Sequence, residues 1–348
     1  MWLDHQEATK ADSTISTYCR RLERFVEWCA DQGIDDLNDL SSRDVFRFES
    51  GRRADDLSIS TLNNQIGTLK QFLGFCARID AVPEDLPQKI EVPTTDEFNR
   101  FVSEEKLSAS RAEEIRDELH TYARATRRQA MFELLWHTGC RSGGLRALDL
   151  TDCYFEVDDL ERLRHQAAID ENILDEVDVP FVYFRHRPDT GTPLKNHEDS
   201  ERPVALDQTV ADRVQEYIEV NRVSREDESG RRPLFTTSSG DNGRVSGSSV
   251  RREVYIMTQP CRFGMCPHER EPETCEATDQ RYLARCPSSR SPHPIRSGVI
   301  TYLRDQGWPP EAVGERVDAT PQTIRLHYDL PDEIRRMQSR RSYLEETY

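Results

Sequence analysis

The chain has 348 residues, more than one ordinary core holds, which predicts two domains. No apolar run is long enough to cross a bilayer, and the opening residues lack the charged and apolar regions of a secretory signal, so a soluble, cytoplasmic protein with no membrane partner is expected. With 64 acidic and 47 basic side chains the net charge is −17, an odd balance for a nucleic-acid binder that global charge alone does not exclude.

In chain order, Ile15, Tyr18, Leu22, Phe25, Val26 and Cys29 recur at spacings of three and four behind Ser13 as N-cap, which predicts an amphipathic helix. A second helix is expected after Ser41-Ser42 with Val45, Phe46 and Phe48 as its buried face. A third follows Ser58 or Ser60 with Leu62, Ile66, Leu69, Leu73 and Cys76 on one side. Pro83, Pro87 and Pro93 then interrupt helical pattern. The expected division is a small helical bundle over 1–92, a linker over 93–102 and a larger domain over 103–348.

Further helices are expected over 113–120 and 127–137, the latter stopping at Thr138-Gly139. Between Val177 and Leu206 the chain alternates apolar and polar residues, turns at Asp189-Thr-Gly-Thr and resumes through Arg202-Pro-Val-Ala-Leu206, the one strong hairpin signal. Helices return over 207–221, 247–257, 297–305 and 321–328, followed by a polar Arg/Glu-rich tail over 332–348. The fold class expected is mainly α with a small β-sheet or hairpin.

Lys occurs only five times, which leaves 42 of the 47 basic residues as Arg. The planar guanidinium grips phosphate in a bidentate manner, so this bias keeps phosphate recognition open to an acidic protein. An acidic, Lys-poor chain also fits a salt-loving archaeon's cytoplasm, where a Debye length of roughly 3 Å at 1 M salt screens surface repulsion.

Four residue groups carry candidate chemistry. Arg141 in Thr138-Gly-Cys-Arg141 projects from a turn. Lys195 sits on the return strand of the hairpin. His293 and Arg296 are three apart at a helix start after Pro292, which puts two donors on one face. Tyr328 lies in Thr323-Ile-Arg-Leu-His-Tyr328. Taken singly, each also reads as an ordinary surface or packing residue.

In this order, behind a separate helical unit, the set resembles the tyrosine recombinase (phage integrase) family, and the acidic, Arg-rich text looks most like integrases of halophilic archaea. The resemblance implies an N-terminal core-binding, SAM-like DNA-binding domain and a C-terminal mixed α/β integrase-type catalytic domain. It further implies double-stranded DNA as substrate, a homo-oligomer, expected to be a tetramer on paired sites, and no small-molecule substrate. Tyr328 would attack a phosphodiester to form a 3′-phosphotyrosyl link, with Arg141 and Arg296 on the non-bridging oxygens, His293 handling the tyrosine proton and Lys195 protonating the leaving 5′ oxygen. No metal, nucleotide or other cofactor enters that chemistry. Two departures stand out: Gly144 replaces the family's acidic residue three positions after the first arginine, and the second histidine before the tyrosine is missing, with Arg316 or Asp318 as its substitute. The alternatives are a relative that binds DNA without cutting it, a type IB topoisomerase, and a zinc-stabilised scaffold that does not touch DNA.

Nine cysteines fall into two sets. Cys19, Cys29, Cys76, Cys140 and Cys153 are scattered and read as small core residues. Cys261, Cys266, Cys275 and Cys286 lie in one stretch with His268, inside a Cys-rich insert over 259–288. Arg141 and His293 stand 152 residues apart, longer than most members of the family show, so the stretch looks inserted. Four thiolates, or three with His268, satisfy a structural tetrahedral zinc, and reduced thiols are the plain alternative.

Overall fold

The computed structural model describes residues 1–10, 12–93, 105–164, 176–240, 242–327, 337–338 and 341. The chain divides into two compact units, Met1–Val102 and Ser103–Tyr348. The expected linker lies almost wholly outside the described residues, as does the expected tail.

The first unit contains α1 (Trp2–Glu7), α2 (Asp12–Asp31), α3 (Ser42–Ala54) and α4 (Ile59–Arg78). Ser41 starts α3 through a capping box: its hydroxyl accepts from the Asp44 amide at 3.3 Å while the Asp44 carboxylate accepts from the Ser41 amide at 3.1 Å. Ser58 caps α4 by accepting from the Thr61 amide at 3.2 Å. Leu22, Phe25, Cys29, Val45, Phe48, Leu62, Ile66, Leu69, Leu73 and Cys76 form one core. Each fully buried Leu or Phe among them contributes roughly 1.5–3 kcal/mol.

Four details of this unit differ from expectation. Helix α2 begins at Asp12, so Ser13 lies inside it rather than capping it. Val26 and Phe46 are exposed, because each neighbours a residue that takes the core position, Phe25 and Val45 respectively. Cys19 is exposed and not a core residue. Helix α1 carried no periodic signal in its six residues, yet Trp2 is buried against Tyr18 at 5.2 Å and Phe72 at 5.6 Å between ring centroids.

The second unit is built around α6 (Arg127–Thr138), which packs against α5 (Ala109–Tyr122), α9 (Gln208–Val220), α10 (Gly247–Met257) and α11 (Pro292–Asp305). Its residues Ala130, Met131, Phe132, Leu134 and Leu135 are all buried, as a central helix requires. The buried Glu133 on the same helix is paired, accepting from Arg116 Nε at 2.9 Å and from Arg213. Shorter helices complete the unit: α7 (Ser142–Ala147), α8 (Glu161–Arg164), α12 (Pro310–Val317) and α13 (Pro321–His327). Helices α7, α8 and α12 were not anticipated; α7 holds two glycines, and none spans more than eight residues.

An antiparallel sheet runs β1 (Cys153–Tyr154), β2 (Phe181–Phe184), β3 (Arg202–Ala205), with Val182 opposite Cys153 on one side and Val204 on the other. The turn expected at Asp189-Thr-Gly-Thr exists, closed by a bridge between Arg187 and Thr192 with Gly191 in the left-handed region at φ 65°. The strand does not resume there. Pro193 cannot donate to a ladder, and the chain makes a further loop and a 3-10 turn before β3. Lys195 therefore lies exposed in the β2–β3 connection and not on the return strand. Beside β1 and β2, Arg187 grips both oxygens of Asp152 at 2.6 Å, and Arg244 bridges Asp149 and Asp227 at 2.6 Å each. Among the described residues no helix is long and apolar enough to cross a membrane.

Candidate active site

Helix α6 ends at Gly139, whose φ of 61° places it in the left-handed region and whose amide closes onto the Leu135 carbonyl. A Cβ here would stand 2.8 Å from Val317 Cγ1 and 3.1 Å from Val299 Cγ1, so the position needs glycine on grounds of both space and backbone. Two residues later Arg141, in extended conformation, is the N-cap of α7. Its guanidinium leaves the turn toward Asp318, with which it forms an ion pair.

Arg296 reaches the same place from α11. It is 5% exposed, and its guanidinium donates to the carbonyls of Gly139 (2.8 Å), Val317 and Asp318 (3.0 Å). It thus knits the turn that carries Arg141 to the end of α12. His293 sits in the first turn of α11 and is exposed, while Arg296 one turn later is buried.

Asp318 ends α12 in the left-handed region at φ 61°, a conformation that aspartate tolerates better than most residues. Its carboxylate accepts from Arg141, from the Ser200 hydroxyl at 3.0 Å and from the Asn196 side chain at 3.2 Å. Asn196 and Ser200 belong to the β2–β3 connection beside Lys195. Nothing in the sequence singles them out, since two polar residues in a loop carry no periodic mark. Arg202 on β3 donates to the Arg316 carbonyl at 3.0 Å and lies over the Phe184 ring at 4.7 Å.

Of the two substitutes for the missing histidine, Asp318 meets Arg141, whereas Arg316 is directed elsewhere. Its guanidinium donates to the His137 carbonyl at 2.9 and 3.3 Å and to the Ala205 carbonyl at 3.1 Å. Burial lowers the pKa of Arg202 and Arg316, each helped by a neighbouring arginine, yet a guanidinium remains cationic at neutral pH. Gly144 is buried, and a Cβ there would come into contact with the Phe184 ring at 3.4 Å, so an acid at that position would lie beside an aromatic wall. Tyr328 lies outside the described residues, directly after α13. Arginines 141, 202 and 296 thus converge on the 316–318 segment, a cationic neighbourhood on an acidic protein.

Apart from this cluster, Cys261, Cys266, His268, Cys275 and Cys286 line one cavity together with Arg270 and Gln259. Burial raises the Cys261 thiol pKa, and the neighbouring Cys286 and Cys266 add to the rise.

The fold is shared with known proteins. Residues 2–79 match the family described as phage integrase, N-terminal SAM-like domain. The structure of the Tn1549 transposon integrase in complex with a circular intermediate DNA superposes with a TM-score of 0.60 at 14% identity, covering 99% of this chain and 96% of that one. The fold is that of the tyrosine recombinases. The XerH site-specific recombinase bound to a palindromic difH substrate agrees, with a TM-score of 0.56 at 15% identity over 94% of this chain and 79% of its own. In sequence the chain is similar to tyrosine recombinase XerC of Roseiflexus sp. (strain RS-1), 28% identical over 155 residues, covering 42% of this chain and 46% of the relative. Tyrosine recombinase XerC of Bacillus pumilus (strain SAFR-032) is 28% identical over 151 residues, covering 42% and 47%. The matched stretch therefore spans about half the length of these tyrosine recombinase relatives.

Proposed function

We propose that the protein is a site-specific tyrosine recombinase that cuts and rejoins double-stranded DNA through Tyr328. The observation that carries this reading is the convergence of Arg141 and Arg296, far apart in sequence, on the Val317–Asp318 turn from which the chain leads through α13 to Tyr328. The recombinase fold and the XerC relatives support it.

In this reading the phenolic oxygen of Tyr328 attacks the scissile phosphorus, its proton passing to His293. Arg141 stabilises the negative charge that builds on the non-bridging oxygens, and Arg296 holds the turn and the site together. The P–O5′ bond breaks as Lys195 gives its proton to the leaving oxygen, which is how an exposed ammonium in a surface connection serves a bound strand. The phosphotyrosyl ester keeps the bond energy, and a 5′-hydroxyl from another strand reverses the step. Neither metal nor nucleotide is called for.

The same reading includes a homo-oligomer, a tetramer on paired sites, because exchange between two duplexes requires four cleaved strands. It places the protein in the cytoplasm, where the DNA lies, and in a halophilic archaeon, as the acidic, Lys-poor composition supports. Incubation with nicked suicide duplexes at high salt tests it. A covalent protein–DNA adduct that disappears in Tyr328→Phe is expected; tight, salt-dependent binding with no adduct would overturn cleavage in favour of a DNA-binding relative.

A further inference from the structure

We infer that the segment joining α10 to α11 is a structural zinc site in which the thiolates of Cys261, Cys266, Cys275 and Cys286 hold one ion tetrahedrally. Cys261, Cys266, Cys275, Cys286 and His268 line a single narrow cavity of about 10 Å³, and about 10–15 Å³ of such volume takes one water-sized sphere. That size suits a single ion.

Ties within the segment bring the four cysteines to this point. Gln259, fully buried, donates through one amide nitrogen to the Ala277 carbonyl at 2.9 Å and to the Leu283 carbonyl at 3.1 Å. Cys261 lies two residues from Gln259, Cys275 two from Ala277 and Cys286 three from Leu283, so one side chain gathers three of the four ligands. The fourth, Cys266, lines the same cavity, and nearby His268 Nε2 meets the Ser288 hydroxyl at 2.9 Å, two residues from Cys286.

The segment also lacks the means to hold itself by apolar packing. Over 258–291 it forms three short 3-10 turns, and its buried apolar side chains are Ala277, Leu283 and Cys286. Stretches this poor in core fold around metal, and a thiolate-rich tetrahedral set selects zinc or an iron–sulfur cluster. Among the described residues no three His, Cys, Asp or Glu side chains stand in metal-binding geometry, and binding one ion would require the thiols to turn inward by side-chain rotation. Four thiolates leave a zinc complex with two negative charges, and the Arg270 side chain on the cavity wall balances part of them. His268, already engaged with Ser288, lies outside the ligand set.

Both ends of the segment are tied to α10: the Arg290 amide donates to the Thr258 hydroxyl at 2.8 Å and the Ser289 hydroxyl to the Tyr255 carbonyl at 3.0 Å. Helix α11, with His293 and Arg296, begins just beyond, so the ion steadies its start. The assignment does not depend on the proposed recombinase activity. Elemental analysis of untagged, reduced, full-length protein after dialysis against metal-free buffer tests it, and one zinc per chain is expected. Cobalt(II) added to zinc-stripped protein should give a thiolate-to-cobalt charge-transfer band, and Cys275→Ser and Cys286→Ser should lose both zinc and band. His268→Ala should keep them. A wild-type protein with no zinc and no cobalt band, iron in place of zinc, or a disulfide among the four cysteines would overturn the site, and zinc loss in His268→Ala would overturn the all-thiolate set. Should the serine variants fail to fold by circular dichroism, the wild-type metal content and cobalt spectrum decide alone.

Discussion

Asp318 engages both arginines of the site, its carboxylate pairing with Arg141 and its backbone carbonyl accepting from Arg296. A carboxylate on a guanidinium competes with any phosphate that approaches the same group. Asp318→Asn should therefore tighten binding to a duplex several-fold, a gain of about 1 kcal/mol, and steepen the logarithmic salt dependence by about one unit. Fluorescence anisotropy across a salt series reads this. Glu311→Gln, which removes an exposed partner of Arg325, is the charge-matched control, and an equal effect of the two substitutions would remove Asp318 from the account.

The two arginines should separate in a pair of assays. Arg141 is partly exposed and held by one carboxylate, so Arg141→Ala should lower adduct formation by about 10²–10³-fold while leaving the urea midpoint nearly unchanged. Arg296→Ala orphans two buried carbonyls and a half-buried one and should in addition destabilise the second unit by roughly 3 kcal/mol. Equal stability of the two variants would contradict the structural role assigned to Arg296.

Gly139→Ala should cost about 2 kcal/mol or more, since it combines a positive φ with a Cβ pressed against Val317 and Val299. Because the same turn aims Arg141, the adduct rate should fall along with the denaturation midpoint. A variant of wild-type stability would show that the turn can move.

His137 gives a pH signature. Burial, aided by the Arg316 cation, lowers its pKa from 6.5 to about 4. The unfolded chain therefore binds the proton first, so stability from this group is complete above pH 6.5 and is lost as pH falls toward 4. Urea unfolding at pH 7 and pH 5 should show a smaller acid penalty in His137→Asn than in the wild type. An unchanged difference would mean that His137 is not held neutral.

How far the sequence reached depended on element length. The long helices of the first unit announced themselves by period, down to the Ser41 and Ser58 caps, because one buried face repeated over several turns leaves a pattern. Helices α7 and α12 were invisible for lack of turns, and they are the ones that place Arg141 and Asp318. The arginines were found through their order along the chain. What they touch was not legible: Arg296 as a buried strut, and Asn196 and Ser200 around Asp318, come from tertiary closure between segments more than a hundred residues apart. Lys195 was misplaced because a tight turn at Gly191 reads as a hairpin whether or not the strand resumes.

The Arg244–Asp227 and Arg187–Asp152 pairs have a further consequence. Their side chains are at most 8% exposed, out of reach of dissolved ions, whereas pairs such as Arg24–Glu27 and Arg285–Glu276 stand in open solvent. Brine weakens the outer contacts and leaves the inner lattice as strong as in fresh water. The molecule thus owns two classes of charge, one that follows its surroundings and one that ignores them, and the framework beside the sheet belongs to the second.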